Sequence, residues 1–321
     1  MDLRMRLSLA ALLGAVALGV IFDRPGWTQE LKAAAAEGLA VERPFPADNP
    51  WNTDISSEPV DSNSQALIAS IGLDKGLHPD FGTVWNGAPN GIPYVLVAGS
   101  QPKAPVSFGY GDESDPGPYP VPPDAPIEGG LASKGDRHVL VIDRDNWILY
   151  ELYSAYPEEG GKRWRAGSGA IFDLRSNKVR PAGWTSADAA GLPIFPGLVR
   201  YDEAVGRKAI LHALRFTCRR TRRAYVAPAR HFASRSTDTN LPPMGMRVRL
   251  KADYDISGFA PAAQVILTAL KKYGMFVADN GGDWFISGAP DPRWNDEELS
   301  TLKRVKGRDF EVVKMGPSVT Q

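Results

Sequence analysis

The chain has one cysteine, Cys218, in 321 residues. No disulfide can form within it, and the fold must rest on core burial alone, which this length makes feasible. Histidine is scarce too: His78, His138, His212 and His231 are the only four. No two stand at the spacing of a helical metal pair and none forms an H-x-H, so neither a metal nor any other cofactor is expected. Net charge is absent, with 37 Lys and Arg against 37 Asp and Glu, which removes any global attraction to nucleic acid. Gly167-Ser168-Gly169 is not followed by the Lys and Ser or Thr of a phosphate loop, and there is no G-x-S-x-G nucleophile elbow. Long apolar runs are lacking with one exception.

That exception is Leu7–Phe22, 16 uncharged residues behind Arg4 and Arg6. A basic start followed by an apolar stretch is the layout of an export signal. The stretch is long for a signal-peptide core and short for a membrane span, so a cleaved signal peptide and a retained anchor both stay open. Either one places the body of the protein outside the cytoplasm, periplasmic or extracellular, touching the membrane only through this segment. Residues 23–43 read as a polar, Ala-rich linker. Residues 44–321 show no internal repeat and no break in composition, which points to a single β-rich domain.

What is abundant is turn chemistry: 27 prolines and 32 glycines in a chain that is 43% hydrophobic, a mix suited to short strands. The strongest strand pattern is Arg137–Asp143 followed by Trp147–Tyr153 across a polar turn, a hairpin. Further strand-like runs are 91–97, 106–110, 170–174, 198–201, 209–217, 223–227, 246–252, 275–278 and 284–287. A helix is expected from Pro261, with Val265, Ile266, Ala269, Leu270 and Tyr273 at helical spacing and Gly274 as its C-terminal cap. Shorter helices are expected near 64–72 and 296–305. Residues 111–130 hold five acids among six prolines, which excludes a helix or central strand and leaves a long ordered loop, a lid, or an acidic surface flap. The expected fold is mainly β, an antiparallel sandwich or jelly-roll-like single domain with one or two packed helices.

Residues 199–251 carry thirteen cations against three anions. Arg247, Arg249 and Lys251 alternate with Met246, Val248 and Leu250, which would set three cations on one strand face. Such a face would favour an anionic polymer, unless these arginines pair with surface acids. Carboxylates recur at strand ends or inward positions: Glu151, Asp173, Asp188 and Glu203. Sugar cleavage needs two carboxyls facing one bond and aromatic walls to stack the ring. Trp147, Tyr153, Trp184 and Trp284 could provide the walls, with Arg230 and His231 as further substrate-binding groups. His212 could act as acid or base, and Arg215 could stabilise the enolate charge of a β-elimination. For each of these residues a structural role, as a turn cap, ion-pair partner or core filler, is the competing explanation. The expected catalytic set is Asp173, Asp188, Glu203, His212 and Arg215. The expected activity is hydrolysis or elimination on a polysaccharide or other envelope polymer, neutral or anionic. The rival is a non-catalytic carbohydrate- or envelope-binding module.

From about Pro46 to Val313 the chain resembles a group of exported bacterial proteins without an established activity. The resemblance is carried by Pro46-Ala-Asp-Asn-Pro-Trp-Asn-Thr, Asp112-Glu-Ser-Asp-Pro-Gly-Pro-Tyr-Pro, Gly167-Ser-Gly-Ala-Ile-Phe-Asp-Leu-Arg-Ser-Asn, Arg180-Pro-Ala-Gly-Trp-Thr-Ser-Ala-Asp and Ala278-Asp-Asn-Gly-Gly-Asp-Trp-Phe-Ile-Ser-Gly. It implies export and transfers no mechanism. The polar stretches 167–191 and 278–288 are the places where loops on a rigid sheet would carry a site.

Overall fold

The run Val139-Leu-Val-Ile-Asp has no polar face, and a strand built this way must be covered on both sides. The computed structural model, which describes residues 43–320, places it inside the molecule. The expected signal or anchor at 1–22, and the linker up to residue 42, lie outside the described residues. Val139–Asp143 pairs antiparallel with Ile148–Tyr153 in the hairpin read from the sequence, Val141 opposite Tyr150. Ser168–Asp173 flanks the pair on one side and Tyr94–Val97 on the other, giving a four-stranded sheet. Side chains alternate across it. Leu140, Ile142, Leu149, Ala170 and Phe172 enter one core, while Val139, Val141, Tyr150 and Leu152 enter a second.

The first core is closed by a six-stranded sheet in the order His78–Asp80, Phe285–Ser287, Leu214–Cys218, Met275–Asn280, Arg247–Leu250, Phe310–Val312. This sheet is mixed: Leu214–Cys218 runs parallel to Met275–Asn280 and antiparallel to Phe285–Ser287. The helix Pro261–Lys272 buries Ala263, Ile266, Leu267, Ala269 and Leu270 and packs on the strand Arg247–Leu250. Pro261 opens it, where a missing N–H costs nothing. Gly274 follows its end at φ +64°, and a Cβ there would lie 2.2 Å from the Val248 carbonyl oxygen, so only glycine fits the turn into the next strand. A shorter helix, Ser64–Ile71, packs on Phe310–Val312.

The second core is closed by a three-stranded sheet, Val106–Phe108, Arg163–Ala166 and Tyr156–Glu158, through Trp164 and Ala166. Tyr119, Val121, Ala125 and Ile127 of the acidic, proline-rich stretch fill the same space. That stretch is therefore an ordered loop pinned from within: Asp115 ion-pairs with the buried Arg180, and Glu128 with His138 at 2.7 Å. The whole is a mainly β, single-domain sandwich of sheets with few helices. The runs 198–201 and 223–227 make isolated bridges, Val199 to Gly288 and Tyr225 to both Met244 and Val319, rather than strands. The first is hemmed in by the turns Phe195–Gly197 and Asp202–Arg207.

The arginines of the basic segment are largely spent on the fold. Arg247 donates to the Tyr273 and Thr53 carbonyls. Arg249 is buried and serves Glu311 at 2.8 Å and the Ile55 and Glu58 carbonyls. No open face of three cations forms on this strand. Among the described residues no helix is long and apolar enough to cross a membrane.

Candidate functional site

A guanidinium inside a sheet must find anions or carbonyls, or the fold carries an uncompensated charge. Arg215, inside the strand Leu214–Cys218, is 3% exposed. Its Nε donates to Asp188 Oδ2 at 2.9 Å and one terminal nitrogen to Asp188 Oδ1 at 2.7 Å. The other terminal nitrogen donates to the Ser287 hydroxyl on the adjoining strand. Asp188 is itself buried, so the fork locks its carboxylate in one orientation.

Asp188 sits on a loop held by its own backbone. The Ser186 hydroxyl accepts from the Asp188 N–H at 2.9 Å and donates to the Leu192 carbonyl at 2.6 Å. Ala190 N–H donates to the Ala278 carbonyl at 2.9 Å, and Ala189 N–H to Asp279 Oδ2 at 3.2 Å. Two histidines support the same loop from either side. His138 Nε2 donates to the Ala187 carbonyl at 3.0 Å, and His231 Nδ1 to the Ala189 carbonyl at 2.7 Å. Burial opposes charge on His138, but Glu128 at 2.7 Å outweighs it and lifts the pKa to about 9, so both ring nitrogens are donors at neutral pH.

Asp279, near the end of the strand Met275–Asn280, meets Asp188 beside this loop. Burial, then the Asp188 charge, push its pKa up to about 7; Arg215 works in the opposite direction, and a hydrogen bond between the two carboxyls adds to the rise. Two carboxyls in contact cannot easily both ionise. Arg215 forks both oxygens of Asp188, and the proton of the pair resides on Asp279.

The pair opens into a cleft of about 410 Å³ lined by Tyr110, Glu113, Asp136, Tyr153, His231 and Asn280, with the Thr185–Ala189 loop along one side. Tyr110 stands exposed at 59%. Glu113 is tied to the loop by the Thr185 N–H at 3.2 Å, and its Oε2 lies 3.9 Å from His231 Nε2. Tyr153 lies against Gly167, where a Cβ would come within 2.7 Å of the ring.

Of the residues expected from the sequence, the fold gathers Asp188, Arg215, Tyr153 and His231 here. Trp184 and Arg230 are not among the residues lining the cleft. Arg180 lies over the Trp184 ring at 5.5 Å, and Arg230 donates to the Arg180 carbonyl at 2.9 Å. The others are elsewhere. Asp173 is exposed and accepts from Arg175 N–H at 2.9 Å; it lies five strand positions from Ser168 at the cleft, or about 17 Å. Glu203 and His212 form a separate buried group with Arg200. Arg200 reaches Glu203 at 2.7 Å and His212 Nε2 reaches it at 3.1 Å. Burial raises the Glu203 pKa, but these two neighbours prevail and hold it down at about 2. Trp147 and Trp284 are core residues rather than cleft walls. Trp284 is stacked between Phe216 and Phe310 with its Nε1 donating to the Gly72 carbonyl at 3.0 Å, and Trp147 is 5% exposed.

Asp279, Glu113, Tyr110 and Asp136 were not singled out by sequence. Asp279 had one local sign, its place where a strand-like run meets the polar 278–288 stretch. Cys218 ends its strand buried, and burial pushes its thiol pKa upward, away from reactivity. Among the described residues no three His, Cys, Asp or Glu side chains are grouped as metal ligands would be. No family model, curated protein or solved structure matches the chain.

Proposed function

We propose that the protein is an exported glycoside hydrolase that cleaves a largely uncharged polysaccharide in this cleft. The observation that carries the reading is the Asp188–Asp279 pair: one carboxylate clamped by Arg215, the other holding a proton near neutrality at the cleft surface. Asp279 is the general acid that protonates the departing glycosidic oxygen, a role needing a raised pKa. Asp188 and Arg215 are positioning residues that set that pKa and are too buried to touch substrate. Glu113, on the cleft wall with His231 beside it, supplies the second carboxylate. Tyr110 and Tyr153 offer ring faces for sugar stacking.

Hydrolysis is favoured over elimination because Arg215 has all three of its nitrogens engaged. An enolate would find no free guanidinium in it. The cleft is lined by Glu113, Asp136 and Asp188 beside the protonated Asp279, with no lysine or arginine among its lining residues, a balance that repels a uronate chain and suits a neutral one. Export rests on the Arg4, Arg6 and Leu7–Phe22 pattern.

The test is incubation of the purified protein with neutral and acidic glycans, following new reducing ends and the ultraviolet absorbance of unsaturated uronates. Reducing ends from a neutral glycan without that absorbance support the reading. Absorbance from an acidic glycan would replace it with elimination. Retained binding without cleavage would replace it with a carbohydrate-binding module.

A further inference from the structure

Beyond the Gly281–Gly282 turn that follows Asn280, a second hollow of about 380 Å³ is lined by Lys75, His78, Arg219, Phe285, Lys303 and Lys306, together with Asp283. Four cations from three parts of the chain meet one carboxylate here, although the protein as a whole is neutral. Lys75 holds Asp283 at 2.6 Å, and Lys306 Nζ donates to the Lys303 carbonyl at 2.9 Å. The Arg219 guanidinium and the Lys303 ammonium are exposed and have no hydrogen bond or ion pair among the described residues. Gathering like charges without partners costs energy that only water, or a bridging anion, relieves.

The hollow also has a flat, rigid face. The His78 ring stacks on Phe285 with centroids 3.9 Å apart and planes 19° from parallel. Gly282 lies so close that a Cβ would come within 2.5 Å of the Phe285 ring, and a Cβ on Gly76 within 2.4 Å of the Lys303 carbonyl oxygen. The walls are therefore close-packed where they bring the cations together.

We propose that this hollow binds a phosphoryl group, either free or carried on a polymer. The four cations exceed what the single carboxylate balances and leave three net positive charges. The Arg219 fork can take two oxygens of a tetrahedral oxyanion, and the ammonium of Lys303 the remainder. The His78–Phe285 stack offers a surface for whatever carries the phosphate. The site is separate from the acidic cleft and does not depend on the hydrolytic reading. Its members are far apart in the chain, and of the cations only Arg219 falls within the basic 199–251 segment.

The experiment is calorimetric titration of the full-length protein with inorganic phosphate and, in a second arm, with poly(glycerol phosphate), for the wild type and for Arg219→Gln and Lys303→Gln. Both side chains are exposed and unpartnered, so circular dichroism and thermal melting should match the wild type. Each variant should weaken binding roughly tenfold or more, the worth of a charge-assisted hydrogen bond, and binding should weaken with added salt. Binding of phosphate alone assigns the free ion; tighter binding of the polymer assigns the polymer-borne group. No binding of either probe, or binding unchanged in both variants, overturns the proposal. Asp279→Asn should leave these titrations unaltered, which separates this site from the cleft.

Discussion

At the scale of single residues, the fold treats its buried carboxyls in opposite ways. Glu203 is held ionised by Arg200 and His212, while burial pushes Glu151 up to about 7, only partly opposed by the Phe195 and Ile194 N–H groups. Asp279 also stands at about 7. The signs give a pH profile of stability. Glu203 favours the fold above its ordinary value of 4.5, and this contribution is lost as pH falls toward 2. Glu151 and Asp279 keep protons in the fold that the unfolded chain releases near 4, so they destabilise it as pH rises from about 4.5 to 7. His138, raised from 6.5 to about 9, stabilises fully below 6.5 and loses that contribution as pH rises through 9. Thermal melting should therefore peak near pH 5 and decline toward pH 9, and His138→Gln should flatten the alkaline part of the decline. A melting temperature that rises between pH 5 and 9 would contradict these assignments. Arg215→Met, which strands the buried Asp188 carboxylate, should cost about 3–5 kcal/mol in urea denaturation; a loss under 1 kcal/mol would mean the pair is not desolvated.

At the scale of elements, the turn after the helix Pro261–Lys272 gives a sharp test. Gly274→Ala places a methyl against the Val248 carbonyl at a positive φ. The backbone conformation alone costs an L-residue about 1–2 kcal/mol, and the contact adds to it. Chemical denaturation should show a loss above that figure, whereas Gly87→Ala, with open space around the position, should cost less. This helix and the 139–153 hairpin were legible in the sequence because their signals are local: a proline and a glycine at the two ends, two β-rich runs around one polar turn. The parallel pairing of Leu214–Cys218 with Met275–Asn280 was not, because nothing in either strand marks a neighbour some sixty positions away. The same limit governed the site. Asp188, Arg215, Tyr153 and His231 had residue type and local pattern in their favour, yet the contact with Asp279 exists only once the sheet has formed. Trp147 and Trp284 failed as cleft walls because an aromatic residue beside a strand carries the same pattern whether its ring faces the core or a cleft.

At the scale of the whole molecule, three stacked sheets create one central sheet with no wet face, and the chemistry collects at its edge. There the Ser186–Gly191 loop, the end of Met275–Asn280 and the acidic loop through Glu113 converge. Neutral net charge conceals two opposed local fields, an acidic cleft and a basic hollow, on either side of the Gly281–Gly282 turn. The proposed hydrolysis rests on the proton held by Asp279, and its most direct measurement is the pH dependence of that proposed glycan cleavage in the wild type and in Asp279→Asn. The wild-type rate should fall as pH rises through about 7, and the variant should lose roughly 10²-fold or more across the range while remaining folded. An Asp279→Asn protein that cleaves at the wild-type rate, or a wild-type rate that climbs through pH 7, would contradict it.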